Sequence, residues 1–311
     1  MELKVKLIGH IVLDYISIGG KTSGPSIGGG VTYGGLALAS YGVKPVIVSN
    51  IGVDFPEEYI ELFKSLGINT MHIHRFKNYK TTSYHLIYDE QFNRKLILKS
   101  LAPSILPSDM GIANSHDFNI TIVSPVACEI PYDTLRVASY YSDLVALDVQ
   151  GIVRECQVNA EVKLRNLPLE EVAQLLKLVD IIHADVNEAK ALLSIDDPIE
   201  IIRRLLSISG GRLKVVLLTF GIDGGYVGTK HKVYYVPSFV TKTVNPTGAG
   251  DVYLSIFTVE YYKSRNVIHA ASMAAAAVSY IVESTDIYRF PNRGKTLLRA
   301  SNVMKRIEEV H

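Results

Sequence analysis

Short apolar runs alternate along the chain with segments whose apolar residues recur every three or four positions. The runs at 4–8, 45–49, 119–123, 145–148, 181–184 and 214–219 are rich in Val, Ile and Leu, as strands covered on both faces are. The segments at 36–41, 57–66, 132–140, 169–179 and 187–193 carry the helical spacing. Strand and helix in alternation predict an α/β fold. Its central sheet is mostly parallel, with helices on both faces, right-handed crossovers and ligands at the carboxyl ends of the strands. Beyond Asp251 the pattern is helical, over 252–263, 268–282 and 295–309.

Two segments depart from this rhythm. The stretch 11–30 is rich in Gly and lacks helical spacing, while 71–100 contains alternating runs such as 82–88 and 95–99. Alternation with period two predicts half-buried strands, here a small antiparallel β-strand flap, or lid, inserted beside the main sheet. No internal repeat, low-complexity tract or linker interrupts the chain, so one domain over 1–311 is expected.

Composition narrows the function classes. With 48% hydrophobic and 20% charged residues, a disordered or collagen-like chain is excluded. Thirty-two Lys and Arg against thirty-one Asp and Glu leave a formal charge of +1, which offers no excess to neutralise a nucleic-acid backbone. The Ala-rich run 270–282 is shorter than the roughly 20 residues a bilayer span needs, and the first residues lack the apolar core of a signal peptide. Cys128 and Cys156 form neither a C-x-x-C pair nor a zinc-spaced cluster and read as free thiols. A cytoplasmic protein with neither a membrane nor a nucleic acid as partner is the expectation.

The chemistry concentrates in Asn245-Pro246-Thr247-Gly248-Ala249-Gly250-Asp251, which runs directly into an apolar helix. The first amides of a helix lack intrahelical partners, glycines leave them uncovered, and the helix dipole favours an anion there. Asp251, in the first turn, would sit beside that anion, able to take a proton from an incoming hydroxyl, as phosphoryl transfer requires. The alternative is a glycine-rich loop with Asp251 as an ordinary helix-end acid. Other phosphate motifs fail. A P-loop needs Gly where Tyr15 and Arg289 precede Gly20-Lys21-Thr22 and Gly294-Lys295-Thr296, and the dinucleotide fingerprint needs Gly where Tyr33 and Tyr253 stand.

Thr247 to Asp251, together with the run from Gly28-Gly29-Gly30 to Gly42, resembles the two signatures of the PfkB, or ribokinase-like, carbohydrate kinases. The resemblance extends over essentially the whole chain and implies a ribokinase-like fold and ATP-dependent phosphorylation of an alcohol. It makes Asp251 the general base and the amides of Gly248, Ala249 and Gly250 the anion hole. Thr219, Gly221 and Gly224 then resemble the family's nucleotide-binding turn, for which the alternative reading is a plain hairpin leading to Gly225. Asp185 and Glu188 fall on its Asn-x-x-Glu motif, linked to magnesium and phosphate, with Asp in place of Asn; a helix-end acid is the alternative for Glu188. Asp14 matches its substrate-binding Asp, beside Gly28, Gly29 and Gly30. Tyr33 stands where many members have Asn, a departure at the sugar contact.

The stretch from Asp148 through Gln150 to Arg154, with Lys80-Thr-Thr-Ser and Ile105-Leu-Pro-Ser-Asp, is similar to the myo-inositol kinase-like branch. Gln150 and Arg154 are accordingly expected at the substrate, against the alternative of a buried strand-end network. Thr81 and Thr82 are expected in the flap over it. The resemblance thus implies a polyol kinase acting on myo-inositol with ATP and Mg2+. A nucleoside, ribose or sugar acid is the alternative acceptor, and an inactive ligand-binding regulator the alternative of another class. Flap strands in this family can pair between subunits, which leaves a homodimer open.

Overall fold

The apolar runs and the helical segments between them become crossovers that return each strand to one sheet. The structure is a computed structural model, in which residues 3–88, 94–111, 118–286 and 289–310 are described. From the N-terminus the elements are β1 (Val5–Ile8), β2 (Val12–Ile18), β3 (Lys21–Gly28), α1 (Gly30–Ser40), β4 (Val46–Gly52), α2 (Glu57–Ser65), β5 (Asn69–Phe76), β6 (Ser83–Tyr88) and β7 (Arg94–Ser100). The middle of the chain holds β8 (Phe118–Val123), α3 (Tyr132–Tyr140), β9 (Ser142–Asp148), α4 (Leu169–Leu176), β10 (Ile181–Asp185) and α5 (Val186–Leu193). Then come α6 (Pro198–Ile208), β11 (Val215–Thr219), β12 (Gly225–Thr229), β13 (Val233–Val236), α7 (Ala249–Ser264), α8 (Val267–Ile281), α9 (Arg293–Met304) and β14 (Glu308–Val310).

Ten strands form the large sheet in the order β14-β13-β12-β11-β10-β9-β8-β1-β4-β5. From β11 to β5 every pairing is parallel, and β12, β13 and β14 add antiparallel strands on one edge. Helices on both faces bury two apolar clusters, one around β1, α1, α7 and α8, the other around β9, α3, α4 and α6. This is a ribokinase-like α/β architecture, with the carboxyl ends of β8 to β11 at one edge.

The small sheet differs from the flap the sequence predicts. Its order is β3-β2-β6-β7, and although β2 with β3 and β6 with β7 are antiparallel ribbons, the inner strands β2 and β6 run parallel. The reason is topological: the two ribbons leave the large sheet after different strands, β1 and β5, and emerge in the same direction. Residues 71–76 belong to β5, which pairs in parallel with β4 at the edge of the large sheet. At the C-terminus the expected helix over 295–309 stops at Met304, and Glu308–Val310 pairs with β13 instead. The helix α6 has clear signals, an Asp197 cap followed by Pro198 at the first turn.

The cysteines also differ from the expectation. Cys128 follows β8 and Cys156 follows β9, and because those strands are parallel neighbours their following loops meet. The two form a disulfide, with 6.1 Å between Cα atoms across a separation of 28 residues. Spacing along the chain could not show this pairing, because it is made by sheet order. Among the described residues, no helix is long and apolar enough to cross a membrane.

Helix α7 is central to the packing, its residues Val252 to Glu260 all buried. Glu260 accepts hydrogen bonds from Tyr41 Oη at 3.0 Å, Arg293 Nε at 2.7 Å, Arg293 Nη2 at 3.0 Å and His269 Nε2 at 2.9 Å. Burial pushes its carboxyl up, but the bonds from Arg293, His269 and Tyr41 prevail and hold it down at about 2. A depressed carboxyl stabilises the fold fully above its ordinary value near 4.5 and loses that contribution as pH falls toward about 2. Glu260→Gln is therefore expected to lower stability at neutral pH by on the order of 3–5 kcal/mol. Thermal unfolding of both forms should show the difference shrinking as pH drops through that window; a difference constant down to acid pH would contradict the account.

Candidate active site

The strand ends and the start of α7 converge on a cavity of about 430 Å³, roofed on one side by the small sheet. Asp148, Asp185 and Thr219 are the last residues of β9, β10 and β11, so the sheet itself delivers them to this edge. The turn after Thr219 has the hairpin form the sequence allowed. Thr219 stands opposite Gly225, and the turn lines the cavity with Gly221 and Gly224 at φ 61° and 86°. A side chain at Gly224 would collide with the Val236 carbonyl.

Helix α7 opens without a side-chain cap, from Gly248 in the left-handed region at φ 80°. A substituent at Gly248 would run into the Tyr33 ring. Of the three amides singled out by sequence, that of Ala249 already donates to the Pro246 carbonyl at 3.1 Å, closing the turn. The amides of Gly248 and Gly250 are therefore the ones the sequence reading leaves for an anion, on the rim of the cavity with the dipole of a 16-residue helix behind them.

Asp251, in the first turn of α7, is partly buried on the cavity wall. Desolvation and then the neighbouring Asp148 raise its carboxyl above the usual aspartate range, while His183 and Arg154 pull it back. Such tuning suits a proton acceptor that must hold and release a proton near neutrality. Gly30 makes the approach feasible, since a methyl there would meet Asp251 Oδ1 at 2.6 Å.

On the small-sheet side, Asp14 lies in β2 beside a break in register that follows it, and a bulge of this kind re-aims a side chain. Gly28 is not on the cavity wall; it lies behind Asp14, where any Cβ would strike the carboxylate. Gly29, Gly30, Gln150 and Arg154 do line the cavity. The Gln150 amide donates to Asp148 Oδ1 at 2.9 Å, and Arg154 Nη1 donates to the Val126 carbonyl at 3.0 Å. Both sulfurs of the disulfide lie against the Arg154 carbonyl, so the loop carrying this guanidinium is stapled in place. Thr81 and Thr82, expected in the flap over the substrate, lie instead immediately before β6, buried and off the cavity wall; Thr82 Oγ1 meets His10 Nδ1 at 2.7 Å.

Asp185 and Glu188 form a capping box. Asp185 Oδ1 accepts from the Asn187 and Glu188 amides at 2.7 and 2.9 Å, and Glu188 Oε2 accepts from the Asp185 amide at 2.9 Å. The helix-end alternative is thus realised, and both residues still line the cavity. Burial, then Asp148 and Asp185, push the Glu188 carboxyl well above the usual range. Carboxylates under such mutual repulsion suit a cation. Among the described residues no group of three or more His, Cys, Asp or Glu is gathered to hold a metal by itself. Magnesium requires less, one or two carboxylates together with substrate phosphates, so the donor set fits it.

With this geometry in view, the likeness to known proteins is specific. The profile described as pfkB family carbohydrate kinase matches residues 30–291. The chain belongs to that family.

This PfkB kinase is a phosphotransferase with an alcohol as acceptor. It is 24% identical over 304 residues to a nucleoside kinase of Methanocaldococcus jannaschii, covering 90% of this chain and 91% of that one. It is 27% identical over 295 residues to an inositol 3-kinase of Arabidopsis thaliana, covering 90% and 74%. A solved pyrophosphate-dependent kinase of the ribokinase family, complexed with a pyrophosphate analogue and myo-inositol, superposes with a TM-score of 0.78 at 24% identity, covering 94% of this chain and 99% of its own. At that identity the superposition establishes the fold.

Several cavity residues escaped the sequence reading of this kinase. His183 lies two residues before Asp185 on β10, and the period-two rule that aims both side chains to one side was the available signal. Tyr84 and Leu86 face the cavity from β6 by the same alternation, and Leu96 pairs with Leu86 from β7. Val236, Pro237, Ala275 and Val278 also line the cavity; they are gathered from distant segments and have no common sequence signal.

Proposed function

We propose that this kinase transfers the γ-phosphoryl group of ATP to a hydroxyl of a small polyol, with myo-inositol as the preferred acceptor. One observation carries the reading. A single cavity holds Asp251 at the start of α7, with Asp14, Gln150 and Arg154 on its acceptor side and the turn of Thr219, Gly221 and Gly224 on its donor side. Asp14 accepts acceptor hydroxyls, and Gln150 both donates and accepts. Asp251 takes the hydroxyl proton as the oxygen attacks the γ-phosphorus and the bond to the departing ADP oxygen breaks. The Gly248 and Gly250 amides hold the charge that develops on the phosphoryl oxygens. Asp185 and Glu188 would hold magnesium with the donor phosphates, and when bound it supplies positive charge against those phosphates.

The apolar residues Val236, Pro237, Ala275 and Val278 beyond the donor turn suit the faces of an adenine ring, which favours ATP over bare pyrophosphate. An ATP-dependent enzyme belongs in the cytoplasm, where that donor is made. The Arabidopsis relative and the myo-inositol complex support the polyol. A second acceptor class has its own support: the small sheet presents Tyr84, Leu86 and Leu96 to the cavity, an apolar wall suited to a nucleobase, and the M. jannaschii relative is a nucleoside kinase.

The test is a panel of myo-inositol, ribose, nucleosides and a sugar acid, each with ATP and with pyrophosphate, in the presence of magnesium. Highest kcat/KM for myo-inositol with ATP is expected. A nucleoside turned over as well as or better than myo-inositol would replace the first reading by the second, and turnover with pyrophosphate alone would remove ATP.

A further inference from the structure

His183 forms a row with residues from two neighbouring strand ends. Its ring and the carboxylate of Asp148 are almost completely buried, with side-chain exposures of 3% and 6%. His183 Nδ1 donates to Asp148 Oδ2 at 2.8 Å, and His183 Nε2 meets Thr219 Oγ1 at 3.2 Å. Asp148 and His183 are register partners across β9 and β10, while Thr219 stands two positions beyond the residue of β11 that pairs with His183. The row therefore runs obliquely along the carboxyl edge of three adjacent strands. Its middle member also touches α7, since a Cβ on Gly250 would lie 3.0 Å from His183 Cε1. The ring is thus wedged between the donor turn and the amides at the start of α7.

We propose that His183 is a positioning residue for phosphoryl transfer: fastened by Asp148, it holds the Thr219 hydroxyl and the Gly250 backbone at one spacing, so that donor and anion site stay in register. The proposal rests on the reading of this cavity as a phosphoryl-transfer site and adds a residue that no part of that reading uses. It does not depend on the charge of the ring. A neutral imidazole with its proton on Nδ1 accepts from Thr219 through Nε2, and a protonated one donates to the same oxygen, so the row persists in both states. Misplacement by about an ångström is sufficient to slow a reaction between held groups. A ring that merely filled space would be replaceable by phenyl.

The experiment compares His183→Phe, which keeps the ring volume and loses both polar contacts, with His183→Asn, which keeps a donor toward Asp148. ATP binding is measured by calorimetry and steady-state kinetics with both substrates. The Phe variant is expected to lose about tenfold or more in kcat with acceptor KM within about twofold, and the Asn variant to retain more kcat than Phe. Because Phe leaves Asp148 buried without its partner, Thr219→Val and Thr219→Ser test the other end without that burden. Valine, which removes the hydroxyl, is expected to lower kcat further than serine, which retains it. The Thr219→Val and His183→Phe changes combined should lose no more than the larger single loss, since both break one row. Wild-type kcat in His183→Phe, or fully additive losses in the double variant, would overturn the proposal while ATP binding and turnover by the unaltered chain stand. If the unaltered chain bound no ATP and turned over no acceptor, the underlying reading would fail and the proposal with it.

Discussion

Asp251→Asn is expected to lower kcat by about 100-fold or more, because an amide of the same shape keeps the hydrogen-bonding size but cannot take a proton. ATP affinity should change little, since the amides of the α7 start and the Thr219 turn are untouched. The electrostatics add a second, opposite effect. Burial and Asp148 raise the Asp251 carboxyl, so the folded state disfavours its ionised form, and that penalty grows as pH rises above the ordinary aspartate value of 3.8. The Asn variant should therefore unfold at the same temperature as the unaltered chain, or higher, at pH 8. The acid limb of kcat/KM in the unaltered enzyme should likewise lie above the usual aspartate range and vanish from the residual activity of the variant. Undiminished turnover by Asp251→Asn would remove the base assignment outright.

Gly30→Ala should have an effect of similar size from a residue that carries no chemistry. Gly30 is the first residue of α1 and has no left-handed φ, so its backbone accepts alanine. The added methyl would meet Asp251 Oδ1 at 2.6 Å and Ser124 Cβ at 2.6 Å. The carboxylate can turn aside, whereas Ser124 is buried, at 2% exposure, and its Cβ is tied to backbone, so that second contact is relieved only by a small shift of the main chain. Displacing a reacting group by about an ångström can cost on the order of 100-fold in rate, against about 1–3 kcal/mol of stability for an overpacked site. Expected, then, is a folded chain with a modestly lower Tm and a kcat reduced about a hundredfold. If kcat held within about threefold of the unaltered value, the carboxylate would not be needed where it stands.

Much of the framework was readable because buried parallel strands advertise themselves as apolar runs. Each of the six runs contains or overlaps a strand of the large sheet, and the segment at 132–140 coincides with α3. Elements joined by sheet order rather than by local pattern were not readable. The parallel contact of β2 with β6 and the bond from Cys128 to Cys156 depend on which loops become neighbours. The pairing of Glu308–Val310 with β13 arises the same way, with an edge strand capturing three residues whose local pattern favoured helix. In the site, motif residues with fixed spacing such as Gly248 to Asp251 stood out. Gly28 lies off the cavity wall, and what its lack of a side chain provides is room for Asp14, a relation that spacing along the chain does not reveal. His183 was passed over because a histidine inside an apolar strand looks like a packed core residue until its two ring nitrogens are given partners.

The ladder between β2 and β6 has a mechanical consequence. Six consecutive register pairs, from Leu13 with Ser83 to Ile18 with Tyr88, weld the two ribbons into one plate. Asp14 rides on the first ribbon, and Tyr84 and Leu86 on the second. Any swing of this plate carries the acidic contact and the apolar wall through the same arc. An acceptor would then meet both at once, and gripping it and shutting out bulk solvent would be a single stroke.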